Sequence, residues 1–205
     1  MAGMLTKDPV NIIICGVGGQ GNILASELLA SALVEQGFFT TVGETYGASQ
    51  RGGSVMSHVR ISTQRQYGAL IPHGDADIII GFEPIETLRI ARDFGSSQTR
   101  VIFDPRPNYP LGVLSGESVY PDVKAIETEL AALCGWVQVV DATQLAQEVG
   151  NAQAANILLM GALTALPEVP LTEEDYLVVL RQRFKDQALE LNLEAFKAGF
   201  NAIKV

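Results

Sequence analysis

Short apolar runs alternate with longer stretches of helical period along this chain. Ile12-Ile13-Ile14-Cys15, Ile78-Ile79-Ile80 and Val101-Ile102-Phe103 are continuous runs without polar alternation. They have the pattern of strands covered on both faces. The spacing predicts strands near residues 11–16, 39–44, 55–62, 76–82, 99–104 and 137–141. Val55, His58 and Arg60 sit among mixed polar neighbours, which reads as a strand with one open face. Helices are predicted near 21–36, 84–94, 122–134, 143–149, 152–165, 173–184 and 187–202. The order is mostly strand then helix, so the fold class is α/β, a layered sandwich around a mostly parallel or mixed sheet.

The last third predicts a helical pair. Thr172 can cap a helix opening on Glu173-Glu174-Asp175, where acids favour the N-terminal dipole. Leu177, Leu180 and Phe184 share one face, and Leu189, Leu193, Phe196 and Phe200 share another. That second stripe fits either the core or an interface. Asn151 and Asn156 precede or open an apolar helix and read as caps. Gly161 inside that helix reads as a site of close packing. Pro105, Pro107 and Pro110 make residues 104–110 a loop at a strand end. No repeat or linker divides residues 1–205, which read as one domain.

Two glycine turns carry the strongest chemical signal. Gly16-Val17-Gly18-Gly19-Gln20-Gly21 follows the first strand and opens the first helix, a Rossmann-like strand-turn-helix. Such a turn offers free amides and a helix dipole to an anion, although the spacing alone also suits a tight structural turn. The second turn is Gln50-Arg51-Gly52-Gly53-Ser54, where successive amides and a guanidinium can meet the same kind of ligand. Glu44 stands near the place of a ribose-binding acid. A polar glycine loop and a strand follow it, where a dinucleotide fold would continue into a helix, and that departure argues against simple nucleotide binding.

Composition narrows the class. The chain has 205 residues, 47% of them hydrophobic and 18% charged, so it is a globular sequence. Its formal charge of −9 disfavours general nucleic-acid binding, leaving only a local basic site around Arg51 and Arg60. No apolar run is long enough to span a membrane and the N-terminus lacks a signal-like segment, so the cytoplasm is expected. Cys15 and Cys134 are isolated and read as buried thiols, outside any cluster or zinc set. His58 reads as a structural strand histidine and His73 as a loop residue. Asp75 and Asp77 read as turn residues before a strand, because Gly74-Asp75-Ala76-Asp77 is only a fragment of a diphosphate–magnesium motif.

The two glycine turns together resemble the gamma-type subunit of 2-oxoacid:ferredoxin oxidoreductases. The segments Asn156 to Leu163 and Glu190 to Phe200 are also similar to that family, so the resemblance spans nearly the whole chain. Residues 49–62 are most similar to its indolepyruvate branch, with the pyruvate, 2-oxoglutarate and ketoisovalerate branches left open. The resemblance implies a hetero-oligomer that decarboxylates a 2-oxoacid on thiamine diphosphate and magnesium. Electrons pass through iron–sulfur clusters to ferredoxin, and the product is an acyl-CoA. An intact diphosphate–magnesium motif and cluster cysteines are missing, so thiamine and clusters are expected on partner subunits, with ferredoxin an indirect partner. No catalytic residue is expected on this chain, and in isolation it can homodimerise. Gly16, Gly18, Gly19, Gln20 and Gly21, with Gln50, Arg51, Gly52, Gly53 and Ser54, are carried over as facing the cofactors of the assembled active site. The alternatives are a stand-alone nucleotide-binding oxidoreductase using Glu44 and a purely structural assembly subunit.

Overall fold

The computed structural model describes residues 5–47 and 53–203. Six strands form one mixed sheet: β1 (Val10–Val17), β2 (Phe39–Tyr46), β3 (Ser54–Ser62), β4 (Ile78–Gly81), β5 (Arg100–Phe103) and β6 (Trp136–Val139). Their order is β2-β3-β1-β4-β5-β6. β1, β4, β5 and β6 pair in parallel, while β3 runs antiparallel to both β1 and β2.

Alternation along β1 splits the core in two. Ile12 and Ile14 face one side with Ile78, Ile80 and Ile102. There they meet α1 (Asn22–Glu35), α5 (Ala142–Glu148), α6 (Ala155–Thr164), α7 (Glu173–Arg183) and α8 (Asp186–Ala202). Ile13 and Cys15 face the other side with Val101 and Phe103, against α2 (Pro84–Phe94) and α4 (Val123–Leu133). The result is a three-layer α/β/α sandwich. A four-residue helix, α3 (Leu111–Leu114), follows the proline-rich loop 104–110, in a stretch where the sequence pattern predicts no element.

α6 is apolar all round and buried from Asn156 to Thr164, as a central helix must be. It crosses α8 at two glycines. A Cβ on Gly161 would collide with the Phe196 carbonyl, and one on Gly199 with the Leu158 carbonyl. On α8, Phe196 is fully buried and stacked on Tyr176 at 4.7 Å, while Leu189, Leu193 and Phe200 pack half-buried against the same core. The C-terminal stripe is therefore spent on the chain's own core. Thr172 and Asp175 form a capping box at α7.

Two expectations are corrected. β3 is an interior strand covered on both faces, because residues 63–77 cross its second side. Ile71 N–H donates to His58 Nδ1 at 3.2 Å, and Arg60 stacks on Tyr67 while donating to the Gly68 and Leu70 carbonyls. Arg60 is thus a structural cation. Asn151 does cap, but it caps the 3-10 turn Ala152–Ala154; Asn156 lies inside the first turn of α6 and reaches the first glycine loop.

Candidate functional site

The connections from β1 and β4 leave in opposite directions. α1 carries the chain from β1 toward β2 on one face; α2 carries it from β4 toward β5 on the other. Ligands of open α/β sheets bind at the carboxyl ends of strands at such a switch point. A cavity of about 540 Å³ lies there, lined by Gly19, Gly21, Phe82, Arg106, Asn108 and Asn156 among others.

The first glycine loop forms its near wall. Gly19 (φ 105°) and Gly21 (φ 86°) adopt left-handed backbone that suits glycine. Gly16 leaves no room for a side chain: a Cβ would sit 2.6 Å from Gln20 Oε1 and 2.9 Å from Phe82 Cβ. Gln20 holds the loop in shape. Its Oε1 accepts from Val17 N–H at 2.7 Å, and its Nε2 donates to the Phe82 carbonyl at 2.8 Å. The Gln20 amide is therefore a brace across the crevice between β1 and β4. α1 starts at this wall with Gly21 as N-cap and no side chain capping its free amides. That end carries partial positive charge. Asn22, buried in the first turn, donates weakly to the Val55 carbonyl at 3.4 Å.

The far wall comes from the end of β5. Asp104 is buried; its Oδ2 accepts from Thr143 N–H at 3.0 Å and from the Thr143 hydroxyl at 2.5 Å, and its Oδ1 from Arg106 N–H at 3.1 Å. Burial pushes the Asp104 carboxyl above its ordinary range, opposed by the Thr143 and Arg106 bonds. The exposed Arg106 side chain makes no ion pair among the described residues. Behind this wall Glu83, 2% exposed, caps α2 through Glu86 N–H and accepts from Asn108 N–H and the Tyr120 hydroxyl. Burial, then Glu83, raises the Tyr120 phenol above its ordinary value.

The fold brings the two glycine turns together. Gly18 N–H donates to the Gly53 carbonyl at 2.8 Å, and Ser54 is the register partner of Val17. Gln50, Arg51 and Gly52 lie outside the described residues. Glu44 points elsewhere: its carboxylate accepts from Ser26 at 2.8 Å and Ser57 at 2.7 Å, and β3 separates its strand from β1. His58 and His73 pack on Phe94, away from the cavity. Asp75 and Asp77 hold Lys7 and Asn11, which is structural work. Cys15 and Cys134 are buried free thiols, both pushed upward by burial. No group of three or more potential metal-ligating side chains occurs among the described residues, and no helix there is long and apolar enough to cross a membrane. Sequence reasoning did not place Asp104, Arg106, Asn108, Thr143 and Asn156 together, and the fold brings all five to the cavity. The usable signal was the loop Asp104-Pro105-Arg106-Pro107 at the carboxyl end of a buried strand.

Comparison with known proteins gives a consistent picture. The family model described as pyruvate ferredoxin/flavodoxin oxidoreductase matches residues 11–202. The chain is 38% identical over 198 residues to indolepyruvate oxidoreductase subunit IorB of Thermococcus kodakarensis, covering 95% of this chain and 96% of that protein. It is 28% identical to ketoisovalerate oxidoreductase subunit VorA of Methanothermobacter marburgensis, covering 93% of this chain but 36% of VorA. Among solved structures it resembles 2-oxoglutarate:ferredoxin oxidoreductase from Magnetococcus marinus, determined with 2-oxoglutarate, coenzyme A and succinyl-CoA bound. The TM-score is 0.74 at 25% identity, covering 96% of this chain and 31% of that one.

Proposed function

The chain belongs to the pyruvate ferredoxin/flavodoxin oxidoreductase family, and from that premise we propose that it is the gamma-type subunit of a thiamine-diphosphate-dependent 2-oxoacid:ferredoxin oxidoreductase. The oxoacid is an arylpyruvate of the indolepyruvate kind and the product an acyl-CoA. One observation carries this reading: two glycine turns, distant in sequence, meet beside an open cavity at the switch point of the sheet.

The residues at that place suit a phosphate-bearing cofactor. Gly19, Gly21 and the uncapped start of α1 offer backbone donors, and Arg106 offers a guanidinium that is in no ion pair among the described residues. Arg51, Gly52 and Gly53 would add donors from the second turn. The chain's own groups do not fit a cluster or a diphosphate-bound magnesium ion, because both thiols are buried and the acids at the cavity are taken up in internal bonds. Those cofactors belong to partner subunits. When bound there, thiamine diphosphate supplies the decarboxylating chemistry; this chain orients and shields the acceptor end of the site. A stand-alone nucleotide enzyme is disfavoured by the engagement of Glu44 with Ser26 and Ser57.

The test is reconstitution with the thiamine-carrying chain of the complex. Arg51→Ala should weaken apparent affinity for CoA or thiamine diphosphate roughly tenfold to a hundredfold, the equivalent of ~1.5–3 kcal/mol for a charge-assisted contact. Unchanged affinities for both cofactors would overturn the assignment of the second turn.

A further inference from the structure

Residues 107–120 leave the cavity wall and run along the surface, mostly exposed. This excursion is built rather than slack. The Gly112 carbonyl accepts from Glu117 and Ser118 N–H at 2.9 and 3.0 Å, and the Pro110 carbonyl accepts from Val113 and Leu114 N–H. Its base is clamped by the buried Glu83 carboxylate, which holds Asn108 N–H at one root and the Tyr120 hydroxyl at the other. Tyr109 braces Tyr120 edge-on at 5.2 Å. A buried carboxylate is costly unless well bonded, so the fold commits an expensive group to fixing this loop.

The fixed loop presents apolar side chains to solvent. Val119 is 92% exposed, Leu114 69% and Tyr109 49%. Glu117 is the one acidic or basic residue in the segment. Charge depletion with aromatic and aliphatic groups on a preorganised surface is the composition of an interface centre. The same loop supplies Pro107 and Asn108 to the cavity, so whatever sits on it also borders the site.

The occupant follows from the longer relatives. This chain corresponds to 36% of VorA and to 31% of the 2-oxoglutarate oxidoreductase chain. In those proteins the matched domain is covalently joined to further polypeptide that makes up about two thirds of the whole chain. We propose that the loop 107–120 is the docking surface for the separate chain that corresponds to this remaining part, which the subunit reading makes the thiamine-carrying chain, and that the docked chain closes the switch-point cavity. The inference rests on the subunit reading above. A second copy of this chain is the competing occupant.

Leu114→Asp/Val119→Asp tests it, measured against the purified thiamine-carrying chain by sedimentation and titration. Both side chains are exposed, so the far-ultraviolet spectrum and urea midpoint should stay as in the wild type. Binding of the partner chain should fall at least ~100-fold, as for loss of central hot spots. Phe39→Asp, at the opposite end of the sheet, serves as control and should bind normally. Unchanged binding by the double variant overturns the docking surface and leaves the subunit reading standing. A wild type that never binds the thiamine-carrying chain overturns both. A wild-type homodimer that the double variant dissociates, with partner binding intact, assigns the surface to a second copy and overturns the proposal.

Discussion

Burial decides the protonation of His58. Its Nδ1 accepts from Ile71 N–H, which only a neutral ring can do. Burial, helped by the nearby Arg60 cation, lowers its pKa below the ordinary value. In the unfolded chain that value is about 6.5. Between the lowered native value and about 6.5 the unfolded chain binds more protons, so stability rises with pH through that window and is lost as pH falls. Urea midpoints should therefore drop between about pH 7 and pH 5 more steeply for the wild type than for His58→Gln, which keeps an acceptor but cannot titrate. Equal slopes would show that His58 is not a source of acid sensitivity. At the same scale, the first glycine turn was legible because its spacing is local: Gly16, Gly19, Gln20 and Gly21 lie within one strand-to-helix turn. The role of Gln20 was not legible, since its partner is a carbonyl 62 positions away at Phe82. The meeting of Asp104, Arg106 and Asn156 was missed for the same reason. Topology, not spacing, carries them to the cavity.

The helices were readable wherever an apolar stripe met a clear start signal. α2 runs from Pro84 to Phe94 as its pattern predicts, with Glu83 capping and Pro84 inside the first turn. β3 was misread because its polar residues have partners in residues 63–77, and a strand pattern does not reveal a covering loop. The C-terminal stripe was ambiguous until α6 appeared beneath it. What the hydrophobic pattern underweighted is Gly199, where α8 meets the α6 backbone. Gly199→Ala tests the closeness of that crossing. Alanine gains ~1 kcal/mol in helix propensity, whereas overpacking costs about 1–3 kcal/mol. The obstacle is the Leu158 carbonyl, which cannot swing away as a side chain would, so the collision wins. The urea midpoint should fall. A variant as stable as the wild type, or more so, would mean that the two helices separate freely.

At the scale of the whole molecule, the site is one-sided. The sheet sets the first glycine turn, the end of β5 and the start of α6 around one cavity, but its walls carry donors and the Arg106 guanidinium, which is in no ion pair among the described residues, without an electron-transfer group. Asp104 at the cavity and Glu83 behind its wall are buried and engaged with Thr143, Asn108 and Tyr120, where they shape the wall. The chain's two cysteines are buried, separate thiols, so it has no thiolate set through which two electrons could leave. The isolated chain should therefore show no oxoacid-dependent reduction of a viologen dye, with or without added thiamine diphosphate, magnesium and CoA. Activity should appear on addition of the thiamine- and cluster-carrying subunits and follow their stoichiometry. Turnover by the chain alone at the rate of the complex would place the chemistry within these residues and overturn the division of labour between subunits.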